Sequence, residues 1–391
     1  MAKILWLTDS VMTVTGYATI STNILNGLTD CGHECYAQCH NYVGQTIPPG
    51  LKFEDGRELK FTVLGTGKAP YSQDLLIPRI REIKPDIFGV LLDTFMLHPW
   101  ILNMDLAPAK TLFYFPSDGG GGLPLSCENI LKKFHVPVCM SKFGQKQCLD
   151  VHNLKTEYIP HAIDVKNYFP LPDKERKELK AKWGIQDKFV VGSVFRNQGR
   201  KMADRMIKAF AMFAKDHPDA VLFMHSDPFD SAASFDINSL IARYGIQNRC
   251  IFTGMNFFRG FTYKQMNEVY NVMDVFFLST SGEGFGVPTI EAAACGIPSI
   301  VTDYTTTKEL ITDDGKCGLA VPISGTITGS WNVERGIMDE NKAAEALTMM
   351  YDNPKMREEM GKIGVEKTNR LYNWDIVIKQ WDELIKKMVG D

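Results

Sequence analysis

Two α/β domains built on parallel sheets are predicted by three observations. The chain has 391 residues, too many for one ordinary core. Apolar runs alternate with helical segments through both halves, the pattern of strand–helix units. One stretch, from Asp274 to Pro298, shows such a unit at its clearest. Val275 to Leu278 is a continuous apolar run, as expected of a parallel strand buried on both faces. Ser279 to Gly286 is rich in turn residues, and Pro288 suits a helix start because its missing N–H costs nothing there. Val287 to Ala294 reads as the helix, ended by Cys295-Gly-Ile-Pro298. Glu283 in the loop and Glu291 in the first helical turn would then face one crevice at the strand ends, where open α/β sheets bind ligands.

The chemistry of that stretch favours a phosphorylated, hydroxyl-rich ligand. Gly284 and Gly286, flanking Phe285, allow close backbone approach. The helix start offers free N–H groups to an anion. Two carboxylates suit paired hydroxyl donors. A lone pair of glutamates would only complement a helix dipole and decorate a turn; the surrounding glycines and proline reverse that preference.

Composition narrows the class. With 45% hydrophobic and 23% charged residues, the chain has the balance of a soluble globular protein. A net charge of −3 gives no global electrostatic case for nucleic acid or an acidic membrane. Residues 1–168 carry 15 Lys+Arg against 16 Asp+Glu and no strongly basic amphipathic helix, which weakens lipid-surface and DNA readings alike. Ile4-Leu-Trp-Leu7 is too short for a signal segment, and no apolar run approaches the ~20 residues of a spanning helix. The nine cysteines are odd in number and scattered. Cys31, Cys35 and Cys39 beside His33 and His40 have no second ligand cluster, so free thiols in a reducing cytoplasm are the reading.

Taken in order, Ile4–Leu7 is the first strand, 8–16 a loop, Tyr17–Leu28 a helix, and Cys31-Gly-His-Glu-Cys35 the turn into a second strand. A short strand follows at Lys60–Leu64, a helix at Leu75–Ile83, and strands at Pro85–Leu92 and Thr111–Phe115. Pro116-Ser-Asp-Gly-Gly-Gly-Gly-Leu-Pro124 makes a long glycine loop that is mobile or closely approached. After Val136–Ser141 comes Tyr158–Pro170, where His161 reads first as a structural linker histidine and second as an active-site rim residue, and Lys174–Trp183 is a charged helix leading into the second domain. The second domain has strands at Phe189–Phe195, Ala220–His225 and Cys250–Gly254, and helices at Met202–Lys215 and Ser239–Tyr244. Arg196 to Lys201 puts cations where a helix start disfavours them, which implies another duty. Loops lacking G-x-G-x-x-G after the first strand argue against an NAD-linked oxidoreductase.

The Glu283-to-Glu291 stretch resembles the E-x7-E motif of retaining GT-B glycosyltransferases, family 4-like, also described as glycosyl transferases group 1. The likeness continues through Met266–Asp274, Thr302-Asp303 and Glu309-Leu-Ile, and more weakly through Cys31–Cys35, Val136–Ser141 and Tyr158–Pro170. It implies two Rossmann-like domains facing across a cleft: 1–168 on the acceptor side, 169–370 binding the donor, and a final helix within 371–391 returning to the N-terminal domain. It implies transfer of a sugar from a nucleoside-diphosphate sugar, such as a UDP- or GDP-sugar, with retention. By that resemblance Arg196 and Lys201 clasp the diphosphate, with Arg200 an extra cation. Glu283 binds the transferred sugar, Glu291 the ribose, Gly284-Phe285-Gly286 and Glu309 shape the donor pocket, and Gly16 lies where the backbone approaches the donor. Asp118 stands near the place where relatives often have a histidine; a sugar or acceptor contact and a loop cap are both open for it. No Asp-x-Asp pair is present for a divalent ion, so no metal and no cofactor beyond the donor are expected. The acceptor, whether glycan, lipid-linked glycan, protein or modified nucleic-acid base, stays open, as does a catalytically silent nucleotide-sugar binder of the same fold.

Overall fold

In the computed structural model, residues 1–390 are described except for 14, 54–55, 98 and 256–259. The chain forms two compact units, residues 1–117, 121–162 and 374–391 in one, and 118–120 with 163–373 in the other.

The first unit contains strands β1 (Lys3–Asp9), β2 (Glu34–His40), β3 (Thr62–Val63), β4 (Ile87–Leu91), β5 (Lys110–Phe115), β6 (Val136–Cys139) and β7 (Glu157–Tyr158). They form one sheet in the order β3-β2-β1-β4-β5-β6-β7, with every pairing parallel. The helix α1 (Gly16–Asp30) starts earlier than its apolar pattern suggests because Thr15 caps it, accepting from the Ala18 N–H at 3.3 Å. The strand expected over Lys60–Leu64 is only two residues long. The terminal helix Trp374–Val389 packs against α1 within this unit. Its Trp381 is fully buried, edge-on to Trp6 at 5.8 Å and to Tyr114 at 4.8 Å. Each such aromatic contributes on the order of 1.5–3 kcal/mol by burial. His161 is a buried structural group: burial lowers its imidazole to about 3, and its Nδ1 lies 2.7 Å from the Tyr114 hydroxyl.

The second unit repeats the plan. Strands β8 (Phe189–Val194), β9 (Ala220–His225), β10 (Cys250–Phe252), β11 (Val275–Leu278), β12 (Ser299–Thr302) and β13 (Gly318–Val321) form a parallel sheet in the order β10-β9-β8-β11-β12-β13. Helices α2 (Ala203–Ala214) and α3 (Val287–Ala294) each follow a central strand. All residues of β8, β9, β11 and β12 are buried, which is why β8, β9 and β11 read as largely apolar runs; β12, Ser-Ile-Val-Thr, had not been singled out as a strand. The order reverses between β8 and β11. Open α/β sheets bind ligands beside such a switch point, at the C-terminal ends of the strands. An antiparallel hairpin of β14 (Ile323–Thr328) and β15 (Glu334–Met338) follows the sheet; nothing in the apolar patterning had suggested it.

Candidate donor site of the second unit

The loop after β8 runs through Arg196 to a short 3-10 turn at Gly199–Lys201. Met202 then adopts a left-handed conformation (φ 49°, ψ 48°) before α2 begins. The loop after β11 lies alongside it, fastened by a run of hydroxyls. Ser279 Oγ donates to the carbonyls of Lys201 and Met202, both at 2.9 Å, and Ser281 Oγ donates to that of Arg200 at 3.0 Å. The Ser281 N–H also donates to the Arg200 carbonyl at 2.7 Å. The motif reading passed over these serines, although three consecutive small hydroxyl residues after a buried strand were the available signal.

This lacing brings Glu283 onto two cations. Arg200 Nη1 lies 2.8 Å from Glu283 Oε2, and Lys201 Nζ pairs with Oε1. Glu283 is 5% exposed and Lys201 9%. Burial alone would raise the Glu283 carboxyl, but the charges of Arg200 and Lys201 outweigh it and hold the group at about 2. Burial, reinforced by Arg200, lowers the Lys201 ammonium to about 8. Arg196 sits apart from this cluster, its Nε donating to Asp230 Oδ2 at 2.8 Å. Arg200, read from sequence as an additional cation, thus occupies the place beside Lys201, while Arg196 turns to the loop after β9.

The backbone of Glu283 is held as firmly. Its N–H donates to Thr305 Oγ1 at 3.0 Å, and Thr306 Oγ1 donates to its carbonyl at 3.0 Å and to that of Gly284 at 3.1 Å. Thr305 has φ 55° and ψ −135°, a strained conformation for a β-branched residue. Gly286 has φ 106° and leads directly into α3, a turn that a side chain would strain.

Glu291 corrects an expectation. It is the fifth residue of α3, not part of its first turn, because the helix begins at Val287 and Pro288 is its second residue. Its carboxylate accepts from the Tyr270 hydroxyl at 2.6 Å and is also hydrogen-bonded by Tyr168. Burial raises it above its ordinary value against the pull of these two donors. Neither tyrosine was singled out in the sequence.

The remaining candidates scatter. Phe285 turns away from the loop surface and is buried edge-on to Tyr372 at 5.8 Å, so it serves packing, and only its backbone remains with the glycines. Glu309 lies in the first turn of the helix Thr306–Thr312. Gly16 belongs to the first unit, as the first residue of α1, with open space where a Cβ would stand. Asp118 belongs to the second unit, where its carboxylate lies 3.0 Å from Arg335 Nη1. Among the described residues, no group of three or more His, Cys, Asp or Glu could hold a metal ion, and no helix is long and apolar enough to cross a membrane. The nine cysteines are free thiols.

Comparison with known proteins agrees with this architecture. Residues 175–367 match the family described as glycosyl transferases group 1. The chain is 23% identical over 250 residues to mannosylfructose-phosphate synthase of Agrobacterium fabrum, covering 61% of this chain and 50% of that protein. It is 25% identical over 229 residues to a GDP-mannose-dependent monoacylated α-(1-6)-phosphatidylinositol monomannoside mannosyltransferase of Corynebacterium glutamicum, covering 56% and 53%. The chain thus spans about half the length of the curated relatives it matches. Among solved structures, sucrose-phosphate synthase from Thermosynechococcus elongatus superposes with a TM-score of 0.77 at 16% identity, covering all of both chains. Anabaena HepE in complex with UDP and glucose gives 0.73 at 13% identity, covering 99% and 100%. The chain has the GT-B fold, and its residues 175–367 match the glycosyl transferases group 1 family.

Proposed function

We propose that the protein is a retaining glycosyltransferase acting on a nucleoside-diphosphate sugar, with its donor site on the second unit. One observation carries the reading: Glu283 is clasped by Arg200 and Lys201 at the two loops that flank the sheet's switch point. In transfer, the bond from the anomeric carbon to the diphosphate oxygen breaks, its electron pair leaves with the diphosphate, an acceptor hydroxyl oxygen takes its place on the carbon, and the hydroxyl proton passes to the released diphosphate. Lys201 and Arg200, with Arg196 nearby in sequence, would stabilise the charge gathering on the leaving diphosphate. Prearranged cations of this kind supply much of a catalytic effect. Glu283, ionised throughout the physiological range, orients these cations and offers its remaining lone pairs to the transferred sugar. Glu291 with Tyr168 and Tyr270 would take the ribose hydroxyls. The UDP of Anabaena HepE and the GDP-mannose dependence of the Corynebacterium relative make UDP- and GDP-sugars the donors to try first.

The test is calorimetry with UDP, GDP, UDP-glucose and GDP-mannose in excess EDTA, followed by mass analysis of acceptors incubated with the preferred donor. Binding and transfer in chelator are the expected results, because side-chain cations do the work of a metal ion. Loss of activity restored by magnesium or manganese contradicts that mechanism. Binding with neither hydrolysis nor transfer identifies a silent binder instead.

The Lys201 ammonium gives a pH signature. Its folded value, about 8, lies below its ordinary 10.5, so it loses its proton as pH rises through 8 while an unfolded chain keeps it. Donor KM is expected to climb above pH 8, and this alkaline limb is expected to vanish in Lys201→Arg, whose guanidinium stays charged. An unchanged limb in that variant assigns the titration elsewhere.

A further inference from the structure

The hairpin that follows the sheet enters the same neighbourhood. The Gly336 N–H donates to the Ser281 carbonyl at 3.0 Å, which fixes β15 against the loop that carries Glu283. Arg335, the preceding residue, then donates through Nη1 to the Asp118 carbonyl at 2.6 Å and lies 3.0 Å from Asp118 Oδ2. Around this contact the Gly120 N–H donates to the Glu334 carbonyl and to the Tyr304 hydroxyl, each at 3.0 Å. Tyr304 in turn donates to the Glu334 carbonyl at 2.9 Å. Gly282 packs so closely on the Asp118 carbonyl that a Cβ there would overlap it, and that Cβ position lies 3.1 Å from Arg335 Nη1. The Gly282 carbonyl is also 3.4 Å from Arg200 Nη1. The Asp118 charge reaches Lys201, where it favours the protonated ammonium. An alternating chain of charges therefore runs from Arg335 through Asp118 to Lys201, Glu283 and Arg200.

We propose that Arg335 is a positioning residue for transfer. It binds both the backbone and the carboxylate of Asp118, presses residues 118–120 onto Gly282, and neutralises a carboxylate that would otherwise weaken the field of Lys201 and Arg200 on a departing diphosphate. The inference rests on the transferase reading and deepens it, by assigning a role to the hairpin and to the segment after β5. Arg335 Nη1 alone reaches both the carbonyl and the carboxylate of Asp118, and a guanidinium stays charged and holds its donors in a plane, whereas an ammonium is a compact, more strongly hydrated point.

The experiment compares wild type, Arg335→Ala and Arg335→Lys, with UDP and GDP as binding probes and UDP-glucose and GDP-mannose as turnover probes. Arg335→Ala is expected to lower kcat about ten- to a hundredfold, the effect of one lost charge-assisted contact, and to shift nucleotide affinity less than threefold. Arg335→Lys is expected to recover part of kcat, and millimolar guanidinium to recover part of it in the alanine variant. Equal kcat in wild type and Arg335→Ala overturns the proposal. So does a loss that neither Lys nor guanidinium restores, because that result marks a merely structural contact. Should the alanine variant fail to fold, Arg335→Lys decides: wild-type kcat overturns the proposal, and reduced kcat at an unchanged melting temperature supports it. A wild type that binds neither nucleotide overturns the transferase reading itself, and the proposal with it.

Discussion

Replacing Lys201 with alanine is expected to abolish measurable turnover and to destabilise the fold by about 3 kcal/mol. The stability effect follows from burial. Glu283 and Lys201 side chains are 7% and 9% exposed, so removing the ammonium leaves a buried carboxylate with half its compensation. Arg200 stays on Oε2, which holds the loss to the low end of the range for a broken buried pair. The sign with pH can be checked independently. In the intact protein Glu283 titrates near 2 against an ordinary 4.5. Its stabilisation is therefore complete above about pH 4.5 and disappears as pH falls toward 2. With one cation gone the carboxyl titrates higher, and acid unfolding begins at a higher pH.

A second substitution separates stability from function. In Lys201→Ala with Glu283→Gln, no buried charge is stranded, and most of the stability is expected to return, since neutral replacement of a buried pair costs little. Turnover is expected to stay lost, because the diphosphate still lacks its cation. Urea denaturation and donor calorimetry on the single and double variants measure both quantities. A double variant that regains turnover would show that Lys201 matters only as a partner for Glu283.

The contrast between Lys201 and Arg196 shows where sequence reading reached and where it stopped. The strands β8, β9 and β11 were legible because burial on both faces writes a largely apolar run. The loops that bear Glu283 and Lys201 were legible from glycines, a proline and misplaced cations. Which arginine accompanies Lys201 was not legible. That choice depends on the 3-10 turn, on the left-handed Met202, and on Ser279 and Ser281 drawing the Lys201 and Arg200 carbonyls across 78 and 81 residues of chain. Sequence spacing carries no information about a carbonyl's direction. Glu291 was misplaced by about one residue: the helix start at Val287 was read correctly, and its fifth residue already lies just past the first turn of about 3.6 residues. Tyr168 and Tyr270 escaped notice because they reach Glu291 from residues 123 and 21 positions away in sequence. The hairpin β14–β15 is largely solvent-facing along β14, and a strand without a buried face leaves little apolar signal.

The two glutamates are expected to divide along the donor. Glu291 receives hydroxyl donors from Tyr270 and Tyr168, so its environment already accommodates O–H groups, and its remaining lone pairs suit a ribose. Glu291→Gln keeps the shape and removes the charge that favours such donors. It is expected to weaken the free nucleoside diphosphate about tenfold, the value of a charge-assisted hydrogen bond. It should weaken the intact donor by the same factor, because the nucleoside half is common to both. Glu283→Gln is expected to act differently on each measurement. Its carboxylate belongs to Lys201 and Arg200, and releasing those cations leaves them free for phosphate, so free nucleotide binds as well as before or better. Transfer nevertheless falls, because the sugar loses its carboxylate and the cations lose their fixed placement. Calorimetry with nucleotide and donor, and single-turnover rates, on wild type and both variants distinguish these patterns. If Glu283→Gln weakens free nucleotide as strongly as Glu291→Gln, both carboxylates serve the nucleoside half and the division fails, while the fold and family assignment stand untouched.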